Sequence, residues 1–458
     1  MIAIVVSSAD SASVHIGDHL LDLADWETRE DDSRPDAEGG GTVYVREGFE
    51  LREFDALHLE IEDAAEPFRD STGHSEDPDL LVFASRHSGD TGPLLTAHFT
   101  GNFGPAEYGG TEGGLAETCP NAHARLLEAF EEYAPESYEV GMECTHHGPS
   151  EVGVPSLFAE LGSAESEWED PEGARAVARG ILDLEGVQAH RERQIVGFGG
   201  GHYVPRFTRI ERETDWAVGH IAADWVLDAM GSPEQNREVI RRAFEESRAE
   251  RAVVEGEYPE LKSVIRELGY DVVGETWVRE TTGVALDLVE NLESDLAPIS
   301  SGLRFGDHAA GSEGDSGEYE ADSGEYEIVS LPDDLLVEVQ GIDAEETREA
   351  VASHTVAFET EQSGTRAAGR AAVRGPDDRE ALVADLADLL GEKYDSVARE
   401  EGAVVAREVT FDPEKARTLG VEEGPAFGKL SAGQSVTVDG KEIDPETVQS
   451  ERVRRFEI

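Results

Sequence analysis

The sequence predicts an α/β fold of three layers (α/β/α), followed by an acidic linker and a small C-terminal α/β region. Three observations carry this expectation. Short apolar runs of strand length alternate with stretches of helical period through the first 300 residues. Several of the runs are continuous rather than alternating, as in central strands buried on both faces. From 302 to 327 the aliphatic residues nearly vanish, and the alternation resumes from 329.

The strand candidates, in order, are 2–6, 56–61, 80–84, 94–99, 138–146, 156–161 and 194–198. A helix is expected after Asn121, a natural N-cap, where Leu126, Leu127 and Phe130 share one stripe and Cys119-Pro120 breaks the preceding segment. Further helical stripes follow at 173–184, 216–230 and 235–251. Together these define one domain over residues 1–300. Residues 301–328 hold DSGEYE twice, at 315–320 and 322–327, and read as a disordered acidic linker rather than a binding repeat. In the accessory region 329–458, Leu382, Val383, Leu386, Leu389 and Leu390 line one helix face, and 403–411 is a strand candidate.

Charge narrows the setting. The 458 residues include 100 acidic and 38 basic side chains, a net charge of −62. Disorder is excluded for most of the chain by 38% hydrophobic residues in clear patterns. The basic residues decide between an acidic binding protein and a protein from a salt-rich cell. Only Lys262, Lys393, Lys415, Lys429 and Lys441 are lysines. Carboxylates in every segment, with arginine kept and lysine removed, suit a surface hydrated where the Debye length falls to about 3 Å at 1 M salt. The expectation is a halophilic source.

The first 261 residues contain no lysine, which excludes a Schiff-base nucleophile and a GxxxxGK[ST] phosphate loop there. Cys119 and Cys144 are too few for a disulfide framework. The opening MIAIVVSS has no basic segment and too short an apolar run for export, and no later stretch is long enough to span a membrane. A soluble, cytoplasmic monomer is expected.

Four clusters could carry chemistry. In Glu143-Cys144-Thr145-His146-His147-Gly148-Pro149, a strand would put Glu143, Thr145 and His147 on one face and Cys144 and His146 on the other. Adjacent histidines serve one metal only if the strand has ended, as Gly148-Pro149 suggests it is about to. The cluster reads as base and metal ligands, or as two histidines packed in a turn. In Gly197-Phe198-Gly199-Gly200-Gly201-His202-Tyr203, successive glycines allow close backbone approach and could offer N–H groups to a phosphate or oxyanion. A dinucleotide fingerprint is excluded by the spacing and by Pro205, and the alternative is a flexible loop. His98, before Phe99-Thr100-Gly101-Asn102-Phe103-Gly104, reads first as a core histidine and second as a ligand, with Asn102 as an amide donor. His220 has the same two readings. HExxH, CxxC and GxSxG are all absent, which leaves hydrolysis by activated water, with or without a metal.

These segments together resemble the archaeal and plant type of D-aminoacyl-tRNA deacylase. The resemblance runs through SSADSASVHI at 7–16, FTGNFGPAEYGG at 99–110, ECTHHGPSEVGVPSLFAELGS at 143–163, GFGGGHYVPRFT at 197–208 and VGHI at 218–221. It implies a phosphorylase/hydrolase-like fold related to peptidyl-tRNA hydrolases, a zinc requirement, and cleavage of the ester joining a D-amino acid to the 3′ end of tRNA. Removal of aldehyde-modified D-amino acids is implied as well. Where relatives often carry a basic residue before the aspartate, this chain reads Ser8-Ala9-Asp10. Arg86, Arg206 and Arg209 are substitutes for such a phosphate contact. The stretch from Leu419 to Val436 is similar to the tRNA-holding arm of tRNA 3′-end endonucleases, whose HxHxDH core is absent.

The scheme that follows has Zn(2+) held by Glu143, His146, His147 and His202, with Glu143 and His147 also in the catalytic set beside Asn102 and Tyr203. Gly199, Gly200 and Gly201 stabilise the oxyanion or hold the terminal nucleotide, and Phe103 and Arg206 contact substrate. Chirality is read by excluding the L side chain. A metal-dependent peptidase or peptidyl-tRNA hydrolase, or a tRNA-binding protein without catalysis, are the rival readings.

Overall fold

The computed structural model describes residues 1–69, 77–310, 312–313, 319–320 and 325–458. The chain divides into a first unit over Met1–Thr282 and a second running from Gly283 to Ile458. The first unit is a mixed α/β structure with a large central sheet and flanking helices.

Its strands are β1 (Ile2–Ser7), β2 (Glu27–Asp31), β3 (Gly41–Arg46), β4 (Phe49–Phe54), β5 (Leu80–Arg86), β6 (Leu94–His98), β7 (Glu139–Met142) and β8 (Ser156–Gly162), followed by β9 (Gln194–Phe198), β10 (Ala217–Ala222), β11 (Arg251–Val254) and β12 (Asp271–Val273). The first eight form one sheet in the order β2-β3-β4-β1-β5-β8-β6-β7, and the last four a parallel sheet ordered β10-β9-β11-β12. β1, β5 and β8 run parallel at the centre, while β6 is antiparallel to β8 and parallel to β7. Every residue of β1, β6, β8, β9 and β10 is buried, and the sequences of these strands are accordingly mostly apolar.

Several elements differ from expectation for identifiable reasons. Residues 56–61 hold a short 3-10 turn at His58–Glu60, and the strand lies earlier, in β4. β4 is hidden in the sequence by Glu50 and Arg52, both fully buried and paired at 2.7 Å. Residues 216–230 split into β10 and the helix Asp224–Met230, because a short apolar run alone does not separate strand from helix. The helix after Cys119 begins at Pro120, and Asn121 donates its amide to Gln188 O at 2.7 Å instead of capping. Asp10, in the N-terminal motif, is the N-cap of Ser11–Leu23, accepting the N–H groups of Ala12 and Ser13.

The boundary between units falls at 282/283 rather than 300, since the helix Leu286–Asp295 belongs to the second unit and no change of composition marks the division. The expected linker is structured at its start: Leu303–Phe305 is a strand paired with Ala357–Glu361. Positions 311, 314–318 and 321–324 of that stretch, which include most of the two DSGEYE copies, lie outside the described residues. The second unit packs Asp333–Gln340, Ala344–Ser353 and Pro376–Leu390 on antiparallel sheets, with Leu335, Leu336, Leu382, Leu386 and Leu390 in its core. The expected strand Ala403–Phe411 pairs with Ser396–Glu400 and Gln449–Glu457. Among the described residues no helix is long and apolar enough to cross a membrane.

A candidate metal centre in the first unit

Strand register assembles the centre. On β8, Phe158 and Glu160 share a face; on β6, Thr96 and His98 lie opposite them; on β5, Phe83 and Ser85 lie beside them, and His87 follows. A carboxylate and two histidines are thereby carried to one patch of an otherwise apolar sheet. His98 is fully buried, its ring stacked on Phe158 at 5.0 Å. His87 Nδ1 lies 3.1 Å from Glu143 Oε1 and 3.7 Å from Glu160 Oε2.

β7 ends at Met142, so residues 143–147 are free of strand alternation. The segment is pinned by Glu143 N to Ala97 O, Cys144 N to His202 O and Thr145 N to Ile221 O. This answers the problem of the adjacent histidines. The rings of His146 and His147 lie 4.5 Å apart, and each is within 4.8 Å of the His98 ring.

Hydrogen bonds fix the tautomers. His98 Nδ1 donates to Phe99 O at 2.9 Å, His146 Nδ1 to Cys144 O at 2.8 Å, and His147 Nδ1 to Gly148 O at 2.8 Å. A carbonyl only accepts, so each Nδ1 carries the proton and each Nε2 is left to take a proton or a metal. The three residues present ligand atoms within 4.8 Å of one another, and His98 Nε2 is buried without a hydrogen-bond partner. Three converging imidazole nitrogens with oriented outer hydrogen bonds suit a divalent ion such as zinc. Two other groups satisfy the same distance: Cys144 with His146 and His202, and His87 with Glu143 and Glu160. In the metal-free protein the last is bridged by a proton on His87, and burial pushes the Cys144 thiol up to about 12; an ion bound at either set displaces such a proton.

Around the trio runs a charged network. Glu143, 2% exposed, accepts from His202 Nε2 at 2.6 Å. Burial opposes its ionisation, but the hydrogen bonds from His202 and His87 hold it well below the usual carboxylate range. Burial likewise disfavours a charged His87, yet its bonds to Glu143 and Glu160 lift it to about 10. His147 is pushed down to about 4 by burial and then by His98, and His146 falls for the same kind of reason. Burial also disfavours charge on His98, which Glu160 at 3.5 Å outweighs to raise it; a metal at Nε2 displaces that proton. Tyr203 Oη stands 3.2 Å from His87 Nε2, at the exposed side of the network.

Other expected site residues have different duties. Gly199 (φ 90°) donates its N–H to Ala222 O and Gly200 (φ 84°) to Asp224 Oδ1, so neither N–H is left for an oxyanion. A Cβ at Gly199 would sit 2.0 Å from Glu255 O, whereas Gly201 faces open space. The glycines therefore serve the turn that delivers His202 and Tyr203. Asn102 donates to Gly109 O at 2.9 Å and Thr111 O at 3.4 Å, closing its own loop. Phe103 is buried against Phe198 and His220, a core ring that also lines the small cleft beside His146. Arg206 is tied to Glu275 at 3.0 Å, and Arg209 shares that carboxylate. Arg86 lies over the Trp168 ring. His220 is the core alternative: Thr145 Oγ1 and Ala116 O occupy its two nitrogens at 3.0 and 2.8 Å.

His87 and Glu160 escaped the sequence reading. A carboxylate inside the apolar run SLFAELG was the available signal, since an unpaired charge does not stay in a central strand.

Comparison with known proteins places these features in a family. The family model described as D-aminoacyl-tRNA deacylase matches residues 74–273. The D-aminoacyl-tRNA deacylase of Natronomonas pharaonis is 54% identical over all of both chains. That of Halorubrum lacusprofundi is 53% identical, covering 100% of this chain and 97% of its own. That of Methanococcoides burtonii is 32% identical over 98% of this chain and 94% of its own. A crystal structure of a conserved protein of unknown function aligns with a TM-score of 0.55 and 30% identity, covering 62% of this chain and 98% of that one.

Proposed function

The chain belongs to the D-aminoacyl-tRNA deacylase family, and from that premise we propose how its histidine centre carries the reaction. The enzyme is a hydrolase that cleaves the ester between a D-amino acid and tRNA, freeing both. The catalytic unit is Met1–Thr282, acting in a cytoplasm of molar salt.

His98, His146 and His147 hold zinc through Nε2. The supporting observation is the set of three Nδ1–H bonds to main-chain carbonyls, which leaves three Nε2 atoms converging. Zinc bound there supplies Lewis acidity, which activates water and polarises the ester carbonyl. Glu143 fixes His202 by a charge-assisted hydrogen bond and His87 by an ion pair. His202 borders the trio, 4.7 Å from the His146 ring; with its Nε2–H committed to Glu143, it takes the proton of the attacking water at Nδ1, the nitrogen 3.7 Å from Cys144 Sγ. Tyr203, held against His87, donates to the ester oxygen as negative charge develops there. A small, half-open cleft lies beside His146, lined also by Asn102, Phe103, Thr145 and Val226. Facing the α-carbon, it admits a hydrogen and rejects a side chain, which reads chirality by exclusion.

The test is deacylation of D-tyrosyl-tRNA and L-tyrosyl-tRNA in molar KCl, with and without chelator. The expected result is turnover of the D form alone, lost on chelation and regained with zinc. Equal rates on both, or full rate after chelation, would overturn the scheme.

A further inference from the structure

Nine large apolar side chains are exposed among the described residues; six are aliphatic, and the three aromatic ones are Tyr108 (62%), Tyr203 (36%) and Trp225 (47%). Two of them, Tyr203 and Trp225, border the histidine centre through their rings, and the main chain of Tyr108 adjoins it. Tyr108 O accepts the Gly148 N–H at 3.0 Å, next to His147. The Tyr203 ring lies 4.9 Å from His202. The Trp225 ring lies 6.2 Å from that histidine, inclined by only 27°, and shares the small cleft with His146. Nearly half of the indole faces water.

Leaving exposed aromatic rings in water around one site is costly unless something covers them. The covering group is set by charge. A chain of net charge −62 gains little from phosphates, and attraction through counterion release fades steeply as salt rises. Arg206 and Arg209 are already committed to Glu275. Stacking on bases needs no free cation and is the usual means of holding single-stranded RNA ends.

We infer that Trp225, with Tyr203 in the same cluster of rings about His202, is the stacking platform for the unpaired 3′-terminal nucleotides of the tRNA, Trp225 carrying the terminal base. This rests on the deacylase reading above. It makes Trp225 a substrate-binding residue that anchors the tRNA end while the ester lies over the histidines.

The experiment compares steady-state kinetics on D-tyrosyl-tRNA for the wild type and for Trp225→Ala, Trp225→Leu and Trp225→Phe, with folding checked by circular dichroism. Removing one stacked base contact raises KM roughly 5- to 150-fold with kcat changed far less. Phenylalanine restores most of the affinity and leucine does not, because leucine fills space without a π face. An unchanged KM in Trp225→Ala, or equal rescue by leucine and phenylalanine, would overturn the inference. If Trp225→Ala does not fold, the leucine and phenylalanine variants decide. Absence of wild-type turnover would instead overturn the deacylase reading itself.

Discussion

Replacing Glu143 by glutamine tests the network most sharply, because the change keeps shape and removes charge. The carboxylate is buried, accepts the His202 N–H at 2.6 Å and is ion-paired with His87 Nδ1 at 3.1 Å. A glutamine oxygen can accept from one of these imidazoles, but its NH₂ then points donor against donor at the other. Breaking a buried charge pair from one side costs about 3–5 kcal/mol. His87 keeps Glu160 at 3.7 Å as a second counter-charge, so the lower end, about 3 kcal/mol, is expected. Misorienting His202 and Tyr203 should also lower kcat by about 10- to 100-fold, the usual effect of losing an orienting partner at a metal site. All five tryptophans lie in the first unit, so denaturant unfolding followed by tryptophan fluorescence in molar KCl reports that unit alone. A midpoint stability within about 0.5 kcal/mol of wild type, the range of a neutral surface change, together with an unchanged rate, would refute the reasoning.

Three further outcomes are expected. His98→Ala should weaken zinc binding at least about tenfold by equilibrium dialysis, while His202→Ala should keep the zinc and lose turnover; the opposite pattern favours the Cys144-His146-His202 set. Gly199→Ala, at φ 90° with Glu255 O in the way, should cost about 1–3 kcal/mol and most activity, whereas Gly201→Ala should be neutral; equal effects would remove the distinction between turn and donor. His87 has a folded pKa raised from 6.5 to about 10, so its contribution to stability is full below 6.5 and is lost as pH rises toward 10. Glu160, lowered from 4.5 to about 2, contributes above 4.5 and loses its contribution as pH falls toward 2. In metal-free protein, pH titration of the unfolding midpoint should show the upper loss, and His87→Gln should flatten it; an unaltered slope contradicts the assignment.

Legibility in the sequence followed from how local each signal was. The buried parallel strands β1, β5, β8 and β9 stood out because both faces are apolar. β4 did not, because its buried Arg52 and Glu50 neutralise one another only in three dimensions. In the site, Glu143, His146, His147, His202 and Tyr203 could be found from short motifs, and the structure brings all five together. His87 and Glu160 reach the same place through register between β5 and β8, which no single segment encodes. His98 read as a core residue and is buried, yet its Nε2 faces the two other histidines. The glycines, Asn102 and Phe103 were recognisable as unusual but not as scaffold, since their partners, Glu255, Gly109 and Phe198, are fixed only by the folded loops.

The account rests on three histidines, and not Cys144, holding the metal. X-ray absorption at the zinc edge of the zinc-loaded protein separates the two directly. The three-histidine centre predicts nitrogen and oxygen neighbours alone, at about 2.0–2.2 Å. A sulfur neighbour at about 2.3 Å would place the ion on Cys144, His146 and His202 and contradict it.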